Sequence, residues 1–327
     1  MIRSFVFSQK QGNLVSQDIS LDLLKVFLAD DGVQFWVDAS ESSDEEVKRL
    51  LEGVFGFHPL AIEDCLTISE RPKVDEYDTY VFMVIHAVDY SHNTRKFVTK
   101  ELNLFIGQNF LVTVHRDAMP CVAATMDRII KHAPTVARAP DRLTYTILNF
   151  LLEGYDPSLE EMSMEIAELE QRVIHSPTMD VLTEVTYLKA EVQRLRQIVW
   201  PQREVLARLG HGQFKIVRSH MLPYYRDLLD QLVRITDLTD NYRDSLTNIL
   251  QIHLNLQQSR VNQTIKVLTV LATLAMPVLI VTSFYGMNVQ HWPTLQASTA
   301  YAYYWIFGVT ALSTLLVYAY LRRRGWW

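Results

Sequence analysis

The spacing of apolar residues changes character along the chain, and each change marks a new element. Val33, Gln34, Phe35, Trp36 and Val37 read as a short strand. Ser42, Ser43, Asp44, Glu45 and Glu46 follow with a capping-box pattern, serine and then glutamate three residues on, which opens a helix. That helix carries Val47, Leu50, Leu51 and Val54 on one face and ends near Gly56. His58, Pro59 and Leu60 start another, with proline early, where its missing N–H costs little. Residues 80–88, 102–106 and 110–114 are β-branched and aromatic runs, and Gly107, Gln108 and Asn109 predict a hairpin between the last two. Residues 1–140 therefore read as a mixed α/β domain, a sheet flanked by helices.

From Asp141 the period turns helical. Leu143, Ile147, Phe150 and Leu151, then Met162, Ile166, Leu169 and Val173, predict one long amphipathic helix broken at Ser176 and Pro177. Residues 181–209 return antiparallel to it, with Pro201 predicting a kink or an irregular turn, so 141–218 reads as a long-helix pair. Gly210, His211 and Gly212 predict a break. A third helix begins near Ser219, and no Gly or Pro interrupts it between Tyr224 and Met276. Its cytosolic part is 219–264, and it is expected to run unbroken into the apolar segment that follows.

That segment organises the chain. After Lys266 no Asp, Glu, Lys or Arg appears until Arg322, roughly 55 residues on and long enough for two membrane crossings. The spans are placed at 265–285 and 301–321, with an external loop over 286–300 and a basic tail over 322–327. Arg260 and Lys266 precede the first span, Arg322, Arg323 and Arg324 follow the second, and the loop has neither Lys nor Arg. The positive-inside rule then puts both termini in the cytoplasm of a multi-pass inner (plasma) membrane protein.

A polar stripe crosses this picture. At 3–4 spacing the third helix presents Asn248, Gln251, Asn255, Gln258 and Asn262, then Ile265, Thr269, Ala272, Met276, Leu279 and Ser283. Leu246, Ile249, Leu250, Leu254 and Leu256 lie elsewhere on the helix. Amides in register suit either a solvated face or a water-filled lumen that narrows at apolar Ile265, Met276 and Leu279. Two spans cannot enclose a pore, so a lumen requires an oligomer.

Composition narrows the classes. The chain has 327 residues, enough for more than one domain, with 21% charged residues and a mean hydropathy of +0.02. A net charge of −6 gives no nucleic-acid surface. Cys65 and Cys121 have no metal spacing and fit a reducing cytosol. The first residues lack the apolar run of a signal peptide. There is no phosphate loop, G-x-S-x-G or H-E-x-x-H, and His58, His86, His92 and His115 are scattered, with His86 and His115 read as packed or rim residues; an enzyme is not expected. A membrane-anchored scaffold or sensor is the competing class; it accounts for the long helices but leaves the amide stripe without a reason.

Tyr285-Gly286-Met287-Asn288, closing an apolar helix before a short loop, a second span and a basic tail, resembles the signature of CorA-type magnesium transporters. Further motifs agree: Phe57-His58-Pro59-Leu60-Ala61-Ile62-Glu63-Asp64, Arg71-Pro72-Lys73-Val74, Trp200-Pro201, Pro223-Tyr224-Tyr225-Arg226-Asp227 and Lys266-Val267-Leu268-Thr269. The resemblance covers roughly 30–327. It implies a homopentamer in the lipid bilayer, with a funnel-shaped cytosolic body and five first spans around a pore lined by the stripe. Gly286, Met287 and Asn288 would form its mouth, and Asn262 a second polar ring. Asp64, with Glu63 beside it, and Asp227 match acids that in the family hold divalent cation between subunits, which implies closure by internal Mg²⁺. The cargo implied is Mg²⁺, with Co²⁺ and Ni²⁺ as further members.

The sequence also departs from that pattern. The loop 289–299 has no acid and carries His291, Leu279 stands where the family often has a hydroxyl, and Gln251 where it often has a carboxylate. Imidazole favours Zn²⁺, Co²⁺ or Ni²⁺ over Mg²⁺. A Zn²⁺ transporter of the ZntB-like branch, with or without proton coupling, therefore stays open.

Overall fold

In the computed structural model, which describes residues 1–9, 12–28, 30, 32–69, 71–91, 94–175, 179–287 and 299–326, the strand-like runs assemble into one seven-stranded sheet. Its strands are β1 (Ile2–Ser8), β2 (Leu14–Gln17), β3 (Val33–Ser40), β4 (Lys73–Glu76), β5 (Tyr80–Ser91), β6 (Lys96–Gly107) and β7 (Phe110–His115). Their order is β2-β1-β3-β7-β6-β5-β4. Only β3 and β7 pair in parallel; the other neighbours are antiparallel. The hairpin expected at Gly107 joins β6 to β7. A Cβ on Gly107 would stand 2.2 Å from the Phe110 ring, so the tight return excludes a side chain there.

β5 is buried without interruption from Tyr80 to His86 because both faces of the sheet are covered. One face packs on α1 (Leu21–Leu28), α2 (Asp44–Lys48), a π-helical turn (Arg49–Val54) and α3 (Pro59–Leu66). Ser43 caps α2 through the expected box: Glu46 N–H donates to its Oγ at 3.3 Å, and its own N–H to the Glu46 carboxylate at 3.2 Å. His58 caps α3 by accepting the Leu60 N–H on Nδ1. Phe57 anchors this layer, stacked on Phe105 at 4.4 Å and tilted against Tyr80 at 4.5 Å. Burying such a ring contributes about 1.5–3 kcal/mol.

The other face meets α5 (Pro140–Glu153) and α6 (Tyr155–His175). The single long helix expected over 141–173 is two helices that meet at Gly154. Pro157 is the cause: it has no N–H for the Glu153 carbonyl four residues back and crowds it. Pro201 has the opposite outcome, since α7 (Met179–Gly210) runs through it as helix. A further helix, α4 (Pro120–Val136), lies in a stretch where the apolar spacing predicts none. The break expected at Ser176 and Pro177 lies outside the described residues.

After a short 3₁₀ turn (Ser219–Met221), α8 (Leu222–Tyr285) continues for 64 residues, and α9 (Thr299–Arg323) follows. At 1.5 Å per residue α8 is about 96 Å long. It contributes to both compact units of the chain, Met1–Leu250 and Gln251–Trp327. Its N-terminal end is fixed within the first unit by a buried carboxylate. Asp141, 2% exposed, accepts from the Arg218 backbone (3.1 Å), Nε (2.9 Å) and Nη2 (2.6 Å), and the Tyr225 hydroxyl donates to the Asp141 carbonyl (2.7 Å).

Removing one partner of such a pair strands a buried charge. Arg218→Ala is expected to destabilise the first unit by about 3 kcal/mol. A thermal melt of the variant in detergent should shift down by several degrees, and an unchanged midpoint would contradict this assignment.

Candidate ion path and acidic sites

The stripe residues on α8, from Asn248 through Gln251, Asn255, Gln258 and Asn262 to Ile265, Thr269, Ala272, Met276, Leu279 and Ser283, are all exposed in the single chain. Leu246, Ile249 and His253 are buried; Leu246 and His253 lie two residues from the nearest stripe residue, about 200° around the helix, and Ile249 lies one from Asn248, about 100° around. Up to Asn255, α8 thus keeps one edge against protein and leaves the amide edge uncovered; from Gln258 to Thr269 every residue is exposed. Within that edge Gln258 Nε2 donates to Asn262 Oδ1 at 3.2 Å, an i,i+4 amide pair.

Further along, hydroxyls turn to their own helix: Thr269 donates to the Ile265 carbonyl (2.7 Å), Thr273 to Thr269 (2.7 Å) and Thr282 to Val278 (2.8 Å). Above Asn262 the stripe presents hydrocarbon at Ile265, Met276 and Leu279, all exposed. The apolar stretches of α8 and α9 are long enough to cross a bilayer, and almost none of either is buried within the chain. Lys266 Nζ donates to the Gly325 carbonyl at 3.2 Å, tying the two ends that carry the basic residues.

The helix ends where the motif begins. Gly286 N–H closes the last turn on the Thr282 carbonyl at 2.9 Å, and a Cβ on Gly286 would approach that same oxygen to 3.0 Å. Met287 is exposed. Asn288 and His291 lie outside the described residues.

The three acids are all on or near the surface. Glu63 is exposed on α3, beside half-buried Asp64. Asp64 forms an ion pair with Lys73 on β4, a partner that the sequence alone did not supply. Both groups are substantially solvated, so the pair is worth at most about 1 kcal/mol. Asp227, in the first turns of α8, is exposed and accepts from Gln231 Nε2 at 3.0 Å. Among the described residues no group of three or more His, Cys, Asp or Glu side chains is gathered to hold a metal within one chain.

His86 and His115 are both buried, packed rather than at a rim. His115 Nε2 is 3.2 Å from buried Asp38, which also accepts from the Thr113 hydroxyl. Burial alone would depress its pKa, but the Asp38 hydrogen bond and charge prevail and raise it above the ordinary value. At His86 burial prevails over the Ser69 carbonyl, 2.7 Å from Nε2, and the Glu101 charge, and lowers its pKa.

An α/β unit, one long helix that leaves it and two apolar helices each long enough to cross a bilayer fit a membrane protein with a C-terminal hairpin. The CorA-like Mg²⁺ transporter protein family matches residues 31–323, and the chain belongs to that family. The cobalt/magnesium transport protein CorA of Thermotoga maritima is 26% identical over 298 residues, spanning 91% of this chain and 84% of the relative. The protein of the same name in Methanocaldococcus jannaschii is 24% identical over 294 residues, spanning 89% and 90%. The complete structure of the CorA magnesium transporter from M. jannaschii superimposes with a TM-score of 0.78 at 22% identity, covering 99% of this chain and 98% of that one. The ZntB cytoplasmic domain from Vibrio parahaemolyticus gives 0.62 at 10% identity over 78% of this chain and 98% of its own, which shows a shared fold alone.

The raised pKa of His115 has a signed consequence. Its contribution to stability is complete below the unfolded value of about 6.5 and declines as pH rises through the higher folded value. Thermal stability is expected to fall as pH rises above about 6.5, and His115→Gln should flatten that fall. Identical pH profiles for both proteins would contradict it.

Proposed function

We propose that the chain forms a homo-oligomeric divalent-cation channel of the plasma membrane, a pentamer by family resemblance, whose cargo is Mg²⁺ with Co²⁺ and Ni²⁺ as further permeant ions. The observation that carries this reading is the uncovered amide edge of α8, which continues in register into the apolar segment. Copies of α8 standing together would turn that edge inward and surround a wet path. The two relatives above are named cobalt/magnesium transport proteins, which supports the cargo. Mg²⁺ gives up its water reluctantly. Rings of neutral amide oxygens at Asn288, Asn262, Gln258, Asn255, Gln251 and Asn248 accept hydrogen bonds from its hydration shell without stripping it. Ile265, Met276 and Leu279 form the constriction, which closes by dewetting.

Closure is assigned to Asp64, Glu63 and Asp227. The exposed Asp227 of one subunit and the Asp64 region of the next repel each other unless a cation lies between them. Cytosolic Mg²⁺ bound there holds the ring closed. Lys73 competes for Asp64 within each chain, so it sets how much Mg²⁺ closure needs. The loop 289–299 has no carboxylate, which removes the electrostatic concentration of cations that an acidic ring gives.

Reconstituted vesicles test the reading. Mg²⁺ uptake is expected to exceed Zn²⁺ uptake and to be indifferent to a proton gradient; Zn²⁺ uptake driven by that gradient, with Mg²⁺ excluded, would move the assignment to the ZntB-like branch and implicate His291. Asn288→Ala should lower Mg²⁺ flux at least tenfold while the oligomer keeps its mass in detergent, and parental flux would remove Asn288 from the mechanism. Asp227→Ala should conduct at cytosolic Mg²⁺ concentrations that silence the parent. An equally inhibited variant would refute closure through this acid.

A further inference from the structure

The unit Gln251–Trp327 carries five cationic side chains, Arg260, Lys266, Arg322, Arg323 and Arg324, and neither Asp nor Glu. Its counter-charges must therefore come from outside it. Four of the five gather at one place. Lys266 Nζ donates to the Gly325 carbonyl at 3.2 Å, which brings the start of the first apolar stretch to the end of α9. Arg322, Arg323 and Arg324 lead into that glycine, and all three are exposed. Arg324 lies over the Tyr320 ring, 5.7 Å from its centroid. Arg322 and Arg323 make no ion pair among the described residues.

The end of α9 is closed in a way that favours an anion beside it. A helix C-terminus ordinarily leaves carbonyls unpaired and carries the negative end of the dipole, which would repel one. Here Gly325, at φ +71°, turns the chain back on the helix. Its N–H donates to the Arg322 carbonyl at 3.2 Å, and the Trp326 N–H to the Leu321 carbonyl at 3.1 Å. Lys266 takes the Gly325 carbonyl. An ammonium has three donors, so Lys266 keeps two for an acceptor from outside.

On the same side of α9 an apolar groove of about 540 Å³ runs between the two helices, wholly within this unit. Leu274 lines it from α8, and Phe307, Ala311, Leu315 and Tyr318 line it from α9. Thr310 and Thr314 lie in it too, but their hydroxyls donate to the Ile306 and Thr310 carbonyls at 2.8 Å each, so the groove presents hydrocarbon. From Phe307 to Tyr318 is about 16 Å along the axis. That is one leaflet of a ~30 Å hydrocarbon core. Arg322 stands one turn beyond Tyr318 and within about 20° of the heading of Leu315, whereas Arg323 is turned about 100° further round. The groove thus leads to Lys266 and Arg322. Between it and the cations Val270 and Leu321 are buried, and from Gln258 onward no other described residue of the two helices is.

We propose that this groove and its two cations bind one anionic phospholipid, with the phosphate on Lys266 and Arg322 and an acyl chain between α8 and α9. A zwitterionic lipid fits less well, because the unit has no carboxylate to receive the ammonium of a choline or ethanolamine head. A second copy of the unit fits less well too, because it brings the same cations and no acid. The proposal rests on reading the two apolar helices as membrane spans, and it holds whichever ion the protein carries.

Native mass spectrometry of the full-length protein in detergent tests it with three probes: phosphatidylglycerol, phosphatidylcholine and glycerol 3-phosphate. Phosphatidylglycerol is expected to bind at one molecule per chain and about tenfold or more tighter than phosphatidylcholine, with glycerol 3-phosphate weaker than either lipid. Arg322→Gln should weaken phosphatidylglycerol by about fivefold or more, and Arg323→Gln should leave it within about twofold. Ala311→Phe, which fills the groove, should weaken it while the oligomer keeps its mass. Equal affinity for the two lipids overturns the proposal, as does glycerol 3-phosphate binding as tightly as phosphatidylglycerol. Equal losses in Arg322→Gln and Arg323→Gln, which would mean diffuse attraction only, overturn it as well. So does parental affinity in Arg322→Gln or Ala311→Phe, or a smaller oligomer in Ala311→Phe, which would give the groove to a neighbouring copy. A protein that stays in solution without detergent and does not join vesicles would instead remove the membrane reading itself.

Discussion

A chain that enters a bilayer must satisfy its backbone hydrogen bonds within itself, because hydrocarbon offers no partners. α8 meets that constraint by never breaking: the helix that leaves the α/β unit is the helix that reaches the GMN motif. Continuity has a second effect. With backbone groups paired along the helix, only side chains decide what the outward edge offers, and a stripe written at 3–4 spacing winds slowly around it from Asn248 to Ser283, by about 20° per heptad. The hydroxyls of Thr269, Thr273 and Thr282 fold back on their own carbonyls. Of these only Thr269 lies on the stripe, whose other polar groups are the five amides and Ser283.

The same economy explains the rest of the molecule. The start of α8 has a rigid seat, because the Asp141–Arg218–Tyr225 cluster ties it to α5. The sheet behind it is filled on both faces, with Phe57, Tyr80 and Phe105 locking the helical layer to the strands. The acids assigned to cation binding lie instead on solvated surface, Asp64 beside Lys73 and Asp227 beside Gln231. Exposed carboxylates with weak internal partners are free to change partners when a cation arrives.

Much of this was legible in the sequence because it depends on local spacing. The long charge-free stretch after Lys266, the capping box at Ser43 and the glycine before the Phe110 strand each carry their own signal. β1 and β2 did not: Phe5, Val6 and Phe7 are buried in succession, so no alternation marks the strand, and β2 has four residues. The break at Gly154 was hidden because heptad-like apolar spacing continues across it, and Pro157 was the missed sign. Lys73 beside Asp64 depends on how α3 packs beside β4, and Asp38 beside His115 on strand register, neither of which a single sequence writes down.

The central claim is that the amide edge of α8 faces a common aqueous path. Single cysteines at Gln258 and Arg260 test it, since both positions are exposed in the chain and lie about 200° apart on one helix, while Cys65 and Cys121 are buried. In vesicles, a charged thiol reagent applied from the cytosolic side should block Mg²⁺ flux through Gln258→Cys and leave Arg260→Cys conducting. Block at Arg260→Cys with unimpeded flux through fully labelled Gln258→Cys would contradict the account.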